Sequence, residues 1–308
     1  MKDLLSLSYW NNEMILDLIK HAYKIKKYPG NYCNKLKSKT MLMIFEKPSL
    51  RTRVSFEAAM TQLGGHAIYL DAKDAPLGKK ETIEDTAKAS SRYVDIIMAR
   101  LFSQDSMEKL AKNSKVPVIN GLTDISHPCQ ILSDLFTIHE KKKKLKGLKL
   151  CYVGDGNNNV THSLLLGCSA AGMDISIGCP KKFEPLSQVI NLAQKNAKKS
   201  GSKIEILHDA KKAASNADIV YTDSWMSYHI PKEQGAERIK AFKPFQVNKE
   251  LMKCAKKDAL FMNCLPAMRG CEQTAEIIDG KQSIVFDQAE NRLHMQKAII
   301  LKLMGKLK

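Results

Sequence analysis

The sequence lacks any uninterrupted apolar run of the roughly 18–20 residues that a membrane-spanning helix needs. Its first residues, Met1-Lys2-Asp3-Leu4, lead directly into a mixed amphipathic segment and do not have the pattern of a signal peptide. With 308 residues and 44% hydrophobic content, the chain is long enough to bury a large core, and its length predicts two domains. A soluble, cytoplasmic protein without a membrane partner is therefore expected.

Paired cysteine spacings are also absent. The eight cysteines are scattered through apolar surroundings, and none forms the C-x-x-C pattern of a zinc or redox site. Reduced thiols in the core are expected, and no bound metal is predicted.

Acidic residues are few relative to basic ones, since 49 Lys and Arg against 32 Asp and Glu give a formal charge of +17. Such an excess favours anionic partners, either nucleic acid or small phosphorylated substrates. The chain has only two Trp and nine Phe, and no basic stripe is interleaved with aromatic residues, so a nucleic-acid partner is not predicted. The lysine run 141–144 follows a helical pattern and is interpreted as a solvated helix end.

Short apolar runs alternate with amphipathic segments along the whole chain, as in βαβ units with parallel sheets. The alternation predicts two doubly wound parallel-sheet α/β (Rossmann-like) domains. Residues 1–140 form the first, joined by a C-terminal helix at about 288–308, and residues 148–287 form the second. The predicted strands are 40–45, 67–70, 95–99, 116–119, 148–153, 174–177, 204–207, 219–222, 259–262 and 284–286.

The loop after the first strand has the chemistry of an anion site. Ser49 and Thr52 offer hydroxyls, and Arg51 and Arg53 offer planar forks of N–H donors, at a point where a helix begins with unpaired backbone N–H groups. Taken alone, the same residues could form an ordinary helix cap. The pattern therefore indicates a phosphate site only if other strand ends contribute.

Polar residues do follow other predicted strands. Ligands of such sheets bind at the carboxyl ends of the strands, so these residues predict an active site in the cleft between the two halves. The first half gathers groups that suit a phosphate and a carbonyl, and the second gathers groups that suit an amine or amino acid. The residues are Ser49, Arg51, Thr52, Arg100, His127 and Gln130, then Asn158, Asn159, Asp223, Ser227, Cys264 and Leu265, with Arg292 on the final helix.

Gly154 and Gly156 resemble the start of a dinucleotide fingerprint. The third glycine of G-x-G-x-x-G would fall at Asn159, and no later acidic residue completes the pattern. A nicotinamide cofactor is therefore not predicted.

Several motifs together resemble those of the aspartate and ornithine carbamoyltransferases, and the resemblance spans nearly the whole chain. Residues 49–53, S-L-R-T-R, are similar to the S-T-R-T-R carbamoyl phosphate loop, and residues 127–130, H-P-C-Q, are similar to the H-P-x-Q motif. Residues 223–227 and 263–266 resemble the D-x-x-x-S-M-G and H-C-L-P motifs of the ornithine branch.

This resemblance implies transfer of the carbamoyl group of carbamoyl phosphate to the δ-amine of L-ornithine, giving L-citrulline and phosphate. It implies that residues 1–140 bind carbamoyl phosphate, that residues 148–287 bind ornithine, and that the chain forms a homotrimer or a multiple of it. It implies carbamoyl phosphate contacts from Ser49, Leu50, Arg51, Thr52, Arg100, His127, Gln130, Cys264, Leu265 and Arg292. It implies ornithine contacts from Asn159, Asp223, Ser227 and Tyr228, with catalysis by Arg51, Arg100, His127, Asp223 and Cys264.

The departures from the family pattern lie on the acceptor side or at its edge. Asn263 stands where the family usually has His, and Tyr228 with His229 stand where it has Met-Gly. Pro76 occupies the place where a neighbouring subunit usually lends a polar side chain. Another amine, such as putrescine or an acylated ornithine, and a non-catalytic relative stay open as alternatives. Which of Asn157, Asn158 and Asn159 meets substrate stays open too, as does the anabolic or catabolic direction.

Overall fold

The computed structural model describes residues 2–73, 80–226 and 230–307. Contacts between Cα atoms divide the chain into two compact units. Unit 1 comprises residues 1–9, 13–136 and 290–308, and unit 2 comprises residues 10–12 and 137–289. Within the described ranges, no helix is both long and apolar enough to cross a membrane.

Unit 1 is built on a four-stranded parallel sheet with the order β2-β1-β3-β4. The strands are β1 (Thr40–Phe45), β2 (His66–Asp71), β3 (Ile96–Arg100) and β4 (Val118–Leu122). The helices that precede and connect them are α1 (Asn12–Lys27), α2 (Leu50–Gln62), α3 (Ile83–Ser90) and α4 (Gln104–Asn113). After β4, α5 (Pro128–Lys142) carries the chain from unit 1 into unit 2.

Unit 2 is built on a five-stranded parallel sheet with the order β7-β6-β5-β8-β9. The strands are β5 (Lys149–Val153), β6 (Asp174–Gly178), β7 (Ile204–Leu207), β8 (Ile219–Tyr221) and β9 (Leu260–Met262). The helices are α6 (Asn159–Ala171), α7 (Ser187–Ser200), α8 (Ala210–Ala214), α9 (Gly235–Phe242), α10 (Lys249–Met252) and α11 (Ala275–Ile278). The last helix, α12 (Val285–Leu303), begins in unit 2, and its residues from Glu290 onward belong to unit 1. The predicted fold class of two parallel-sheet α/β domains is confirmed.

The apolar cores explain why both sheets form. In unit 1, alternate residues of β1 and β3 pack against α3 and α4 through buried side chains such as Leu42, Ile97 and Leu110. In unit 2, residues of β5, β8 and β9 pack against α8 and α10 in the same way. Central strands buried on both faces appear in the sequence as continuous apolar runs, and that is the pattern seen at residues 40–45 and 149–153.

The predicted strand at residues 284–286 is wrong. Ser283 makes a single bridge with Phe261, and α12 already begins at Val285, three residues before the predicted start of the last helix. Ile284, Val285 and Phe286 have strong strand propensity, yet such a short apolar run cannot distinguish a strand from a buried helix start. Phe286 is 70% exposed, whereas Val285 is buried, so the run has one buried side only.

A buried ion pair anchors α9 in unit 2. The Arg238 guanidinium donates to the Asp155 carboxylate, and its Nε donates to the Trp225 carbonyl at 2.8 Å. The guanidinium carbon lies 5.0 Å from the ring centroids of both Phe183 and Phe242. Since Asp155 and Arg238 are both buried, each depends on the other for compensation of its charge.

We expect Arg238→Leu to destabilise unit 2 by about 3–5 kcal/mol, because it removes the guanidinium that compensates the charge of the buried Asp155 carboxylate. Both tryptophans, Trp10 and Trp225, belong to unit 2, so urea unfolding followed by tryptophan fluorescence reports on this unit. The matched control is Arg269→Leu, which breaks the exposed pair with Asp279 and should cost less than about 1 kcal/mol. Equal losses in the two variants would contradict the anchoring role of Arg238.

Candidate active site

Each sheet has a switch point, where the strand order reverses and a crevice opens at the carboxyl ends of the strands. In unit 1 the switch point lies between β1 and β3, where Phe45 pairs with Arg100. In unit 2 it lies between β5 and β8, where Tyr152 pairs with Tyr221. The predicted site residues of each half follow these strands, so each unit holds its own half-site.

The start of α2 presents backbone donors at the end of β1. Ser49 is the N-cap, and its hydroxyl accepts a hydrogen bond from the Thr52 N–H at 3.3 Å. The first intrahelical bond runs from the Arg53 N–H to the Ser49 carbonyl, so the N–H groups of Leu50 and Arg51 precede it. Leu50 is 74% exposed, and the positive end of the helix dipole faces the same region.

The two arginines of the loop differ in their surroundings. Arg53 is exposed, donates to Glu57 at 2.9 Å and lies 3.8 Å over the ring of Tyr69. Arg51 is half-buried next to the N-cap. The loop offered both guanidinium groups and the family resemblance implied Arg51, and the existing partners of Arg53 likewise leave Arg51 as the better anion ligand.

The imidazole of His127 is buried, and three cations act on it electrostatically. Burial is the main cause that lowers the pKa of His127 well below 6.5, and Arg292, Arg100 and Lys47 lower it further. The imidazole is therefore neutral at physiological pH, with one nitrogen able to donate and the other able to accept. Arg292 also donates to the Thr52 hydroxyl at 3.0 Å, which links the final helix to the start of α2.

Gln130 offers an acceptor in the same half-site. Its Nε2 donates to Asp134 at 2.9 Å, which fixes the amide, and the side chain is only 1% exposed. Its Oε1 has no hydrogen-bond partner among the residues that the structure describes. A buried acceptor of this kind suits a ligand that donates an N–H group.

Lys47 belongs to this half-site although the sequence reasoning did not include it. It is 3% exposed, and its Nζ lies 4.3 Å from the centroid of the Phe102 ring. Burial, with a smaller effect of Arg100, lowers the pKa of Lys47 from 10.5 to about 8. Its position directly after β1 was a signal, but nothing in the sequence indicated that the ammonium is buried.

The asparagine run after β5 divides into three roles. Asn158 is the N-cap of α6 and is buried, with hydrogen bonds to Tyr152, Asp155 and Thr161. Asn157 is exposed and Asn159 is half-buried at the first position of the helix. Because the Asn158 amide is used for capping, Asn159 is the better candidate for a ligand contact.

Asp223 and Cys264 form the centre of the unit 2 half-site. The Cys264 thiol donates to the Asp223 carboxylate, with 3.1 Å between Sγ and Oδ1. Burial raises the pKa of Asp223 from 3.8 to about 6, against the lowering effect of hydrogen bonds from Cys264 and the Ser224 backbone. The carboxylate is thus ionised at neutral pH but holds its charge at a cost in free energy.

Leu265 follows Cys264 in an unusual backbone conformation. Its φ is +57°, in the left-handed region, and the Leu265–Pro266 peptide bond is cis. Leu265 itself is half-buried. The turn therefore places two predicted site residues, Cys264 and Leu265, directly after β9.

Other predicted site residues cannot be placed. Ser227, Tyr228 and His229 lie outside the described residues, and so does Pro76. Within the described ranges, no group of His, Cys, Asp or Glu side chains has the arrangement of a metal site.

Replacement of Asp223 with Asn is expected to stabilise unit 2 at neutral pH. The pKa of Asp223 lies above that of the unfolded chain, so its destabilising contribution develops as the pH rises from 3.8 to about 6. Roughly two pKa units correspond to at most about 3 kcal/mol. Urea unfolding should give a larger gain at about pH 8 than at about pH 5.

The control for this prediction is Asp279→Asn. The pKa of Asp279 is lowered by its hydrogen bond with Arg269, so this variant should be slightly less stable than the wild type. An Asp223→Asn variant that gains nothing at the higher pH would show that the carboxylate is not disfavoured by burial.

Family models and relatives of known name match this chain over nearly its whole length. The carbamoyl-P binding domain of the aspartate/ornithine carbamoyltransferases matches residues 2–140, and their Asp/Orn binding domain matches residues 146–303. A relative from Pyrococcus furiosus named "Ornithine carbamoyltransferase, anabolic" is 52% identical over 309 aligned positions, covering 100% of this chain and 98% of the relative. An ornithine carbamoyltransferase from Methanosarcina acetivorans is 51% identical over 305 positions, covering 98% and 99%.

Solved structures of ornithine carbamoyltransferases also resemble this chain over its full length. That of the ornithine carbamoyltransferase from Pyrococcus furiosus superposes with a TM-score of 0.95 at 51% identity, covering 100% of this chain and 98% of that one. That of the anabolic ornithine carbamoyltransferase from Campylobacter jejuni superposes with a TM-score of 0.92 at 38% identity, covering 100% of both chains. The chain belongs to the aspartate/ornithine carbamoyltransferase family.

Proposed function

We propose that this protein is an ornithine carbamoyltransferase, which transfers the carbamoyl group of carbamoyl phosphate to the δ-amine of L-ornithine and releases L-citrulline and phosphate. The observation that carries the proposal is the chemical division of the two half-sites. Unit 1 gathers cations around a neutral histidine, and unit 2 gathers a buried acid with a thiol. The relatives of the same name, about half identical over the full chain, support ornithine as the acceptor.

Phosphate binding is assigned to the start of α2 and the end of β3. The hydroxyls of Ser49 and Thr52, the guanidinium groups of Arg51 and Arg100, and the N–H of Leu50 are donors suited to a phosphate dianion. The helix dipole adds attraction at the same place. These donors would also stabilise the negative charge that grows on the leaving phosphate.

The carbamoyl group is assigned to His127, Gln130 and Arg292, with the Leu265 carbonyl. A neutral imidazole N–H and a guanidinium can polarise the carbonyl oxygen, and they stabilise the oxyanion of the tetrahedral intermediate. The Gln130 Oε1 and the Leu265 carbonyl oxygen are acceptors for the carbamoyl NH₂ group. The intermediate collapses when the bond from carbon to the phosphate oxygen breaks.

The attacking amine is assigned to Asp223 and Cys264. A free alkyl amine has a pKa of about 10.4, so ornithine arrives as an ammonium that must lose a proton before its nitrogen can attack. At neutral pH the Asp223 carboxylate is ionised, so it attracts this ammonium and is assigned as the base that takes its proton. Asn159, Ser227 and Tyr228 are assigned to the amino-acid end of ornithine, as the family resemblance implies.

An acceptor panel tests this function. We expect phosphate release and a carbamoylated product with ornithine, and little of either with putrescine, N-acetylornithine, lysine or aspartate. The panel addresses the departure at Tyr228, because a side chain bulkier than the methionine usual in the family raises the possibility of another amine. Activity confined to putrescine would overturn ornithine as the acceptor, and no activity with any amine would support a non-catalytic relative.

Arg51→Ala is expected to lower turnover by about 10²–10³-fold, the usual result of removing one donor to a developing anion. The matched control is Arg53→Ala on the same helix turn, since Arg53 is already engaged by Glu57 and Tyr69. That variant should stay within a few-fold of wild type. Steady-state rates with carbamoyl phosphate and ornithine make the comparison, and similar losses in both variants would refute the assignment of Arg51.

Assembly and location extend beyond the chemistry of the half-sites. The family resemblance implies a homotrimer or a multiple of it, and light scattering on the purified chain measures that mass directly. A cytoplasmic location stays a prediction from the sequence, as does the cleft between the two halves. The anabolic names of two relatives favour synthesis of citrulline as the physiological direction.

A further inference from the structure

The side chain of Asn263 is engaged in a buried hydrogen-bond network at the end of β9. Its Oδ1 accepts from the Leu265 N–H at 2.8 Å, and its Nδ2 donates to the Gln273 Oε1 at 3.0 Å. The Gln273 Nε2 in turn donates to the Met268 carbonyl at 3.2 Å. Asn263 and Gln273 are both 0% exposed, so neither amide has solvent as an alternative partner.

The Leu265 N–H and the Met268 carbonyl, at the two ends of this series of hydrogen bonds, determine which way each side-chain amide is oriented. The Leu265 N–H is a donor, so only the oxygen of Asn263 can face it, and the NH₂ of Asn263 must face Gln273. Gln273 must then present its oxygen, which leaves its NH₂ for the Met268 carbonyl. Reversal of either amide would oppose two donors or two acceptors in a buried place.

The backbone of Asn263 is held as well. Its N–H donates to the Gln288 Oε1 at 3.1 Å, and the Gln288 Nε2 donates to the Tyr221 hydroxyl at 3.0 Å. Tyr221 lies on β8, next to the strand that Asn263 follows. The network thus connects the turn after β9 to the sheet and to α12.

The turn requires this support. A left-handed conformation costs a leucine roughly 1–2 kcal/mol, and it persists where neighbouring contacts over-determine it. The bond from the Leu265 N–H to the Asn263 side chain spans two residues, the pattern by which Asn stabilises tight turns. The same turn aims the Cys264 thiol at Asp223.

We propose that Asn263 and Gln273 are a matched pair of positioning residues, which hold the Cys264–Leu265 turn for the reaction without contacting substrate. This inference rests on the proposed function. Gln273 supplies the acceptor that Asn263 needs in place of the histidine usual in the family. Acceptor choice is then set elsewhere in unit 2, and the departure at position 263 leaves it unchanged.

The test compares Gln273→Met with Gln246→Met in steady-state kinetics across pH. Gln246 holds the far end of the same loop through bonds to the Gly270 and Cys271 carbonyls at 2.9 and 2.8 Å, so its variant is the matched control. Gln273→Met should lower kcat/KM for ornithine by roughly 10–100-fold, the usual effect of a small displacement of reacting groups. Gln246→Met should lower the melting temperature but leave the kinetics within about twofold of wild type.

A purely structural role would not move the pH profile. Displacement of Cys264 removes a hydrogen bond that lowers the pKa of Asp223, so the acid limb of kcat/KM should shift to higher pH in Gln273→Met. Burial, Glu272 and Asp155 raise the pKa of Asp223, and none of the three is removed by this substitution. Gln273→Glu is the second variant, because it keeps an oxygen opposite Asn263 but places another oxygen against the Met268 carbonyl, so a loss of kcat/KM is expected here as well.

The outcomes separate the two proposals. An active wild-type enzyme with unchanged rates and an unchanged acid limb in Gln273→Met would overturn the positioning role alone. The same holds if Gln273→Met folds only at reduced temperature and Gln273→Glu matches Gln246→Met in every kinetic constant. A wild-type chain inactive with ornithine would overturn the proposed function, and this inference with it.

Discussion

Parallel pairing of β1 with β3, and of β5 with β8, is the constraint on which both half-sites depend. It opens a crevice at the carboxyl edge of each sheet, and the loop after the central strand must turn there into a helix. In both loops a polar N-cap begins the helix, Ser49 for α2 and Asn158 for α6. Each cap orients the first turn of its helix toward the crevice beside the central strand. The positions of the two half-sites therefore follow from the strand order of the sheets.

Burial disfavours the charged form of the ionisable groups in both half-sites, which lowers the pKa of bases in unit 1 and raises the pKa of an acid in unit 2. In unit 1 it lowers the pKa of Lys47 to about 8 and keeps His127 neutral. In unit 2 it raises the pKa of Asp223 to about 6. Under the proposed function, a phosphate dianion compensates the first half-site and a substrate ammonium compensates the second. The cationic half-site of unit 1 is therefore suited to an anionic ligand, and the anionic half-site of unit 2 to a cationic one.

Sequence patterns predicted much of this because they carry local physics. The buried central strands and the Ser49 cap depend on neighbours in the chain, so residues 40–52 contain the information needed. The short run 284–286 was misread because three apolar residues do not determine a period. The partners of Arg238, the burial of Lys47 and the bond between Asn263 and Gln273 depend on residues distant in sequence, and no local pattern encodes them.

Stability and function oppose each other most clearly in unit 2. The left-handed Leu265 and the buried Asp223 carboxylate both cost free energy, and both lie at the strand ends where the substrate amine is assigned. Hydrogen bonds through Asn263 and Gln273 hold the turn at Leu265, and Arg238, paired with Asp155, holds the Trp225 carbonyl two residues after Asp223. Because position 263 belongs to such a supporting network, its departure from the family pattern concerns the support of the turn. Differences in acceptor choice should then arise in the segment that follows Asp223.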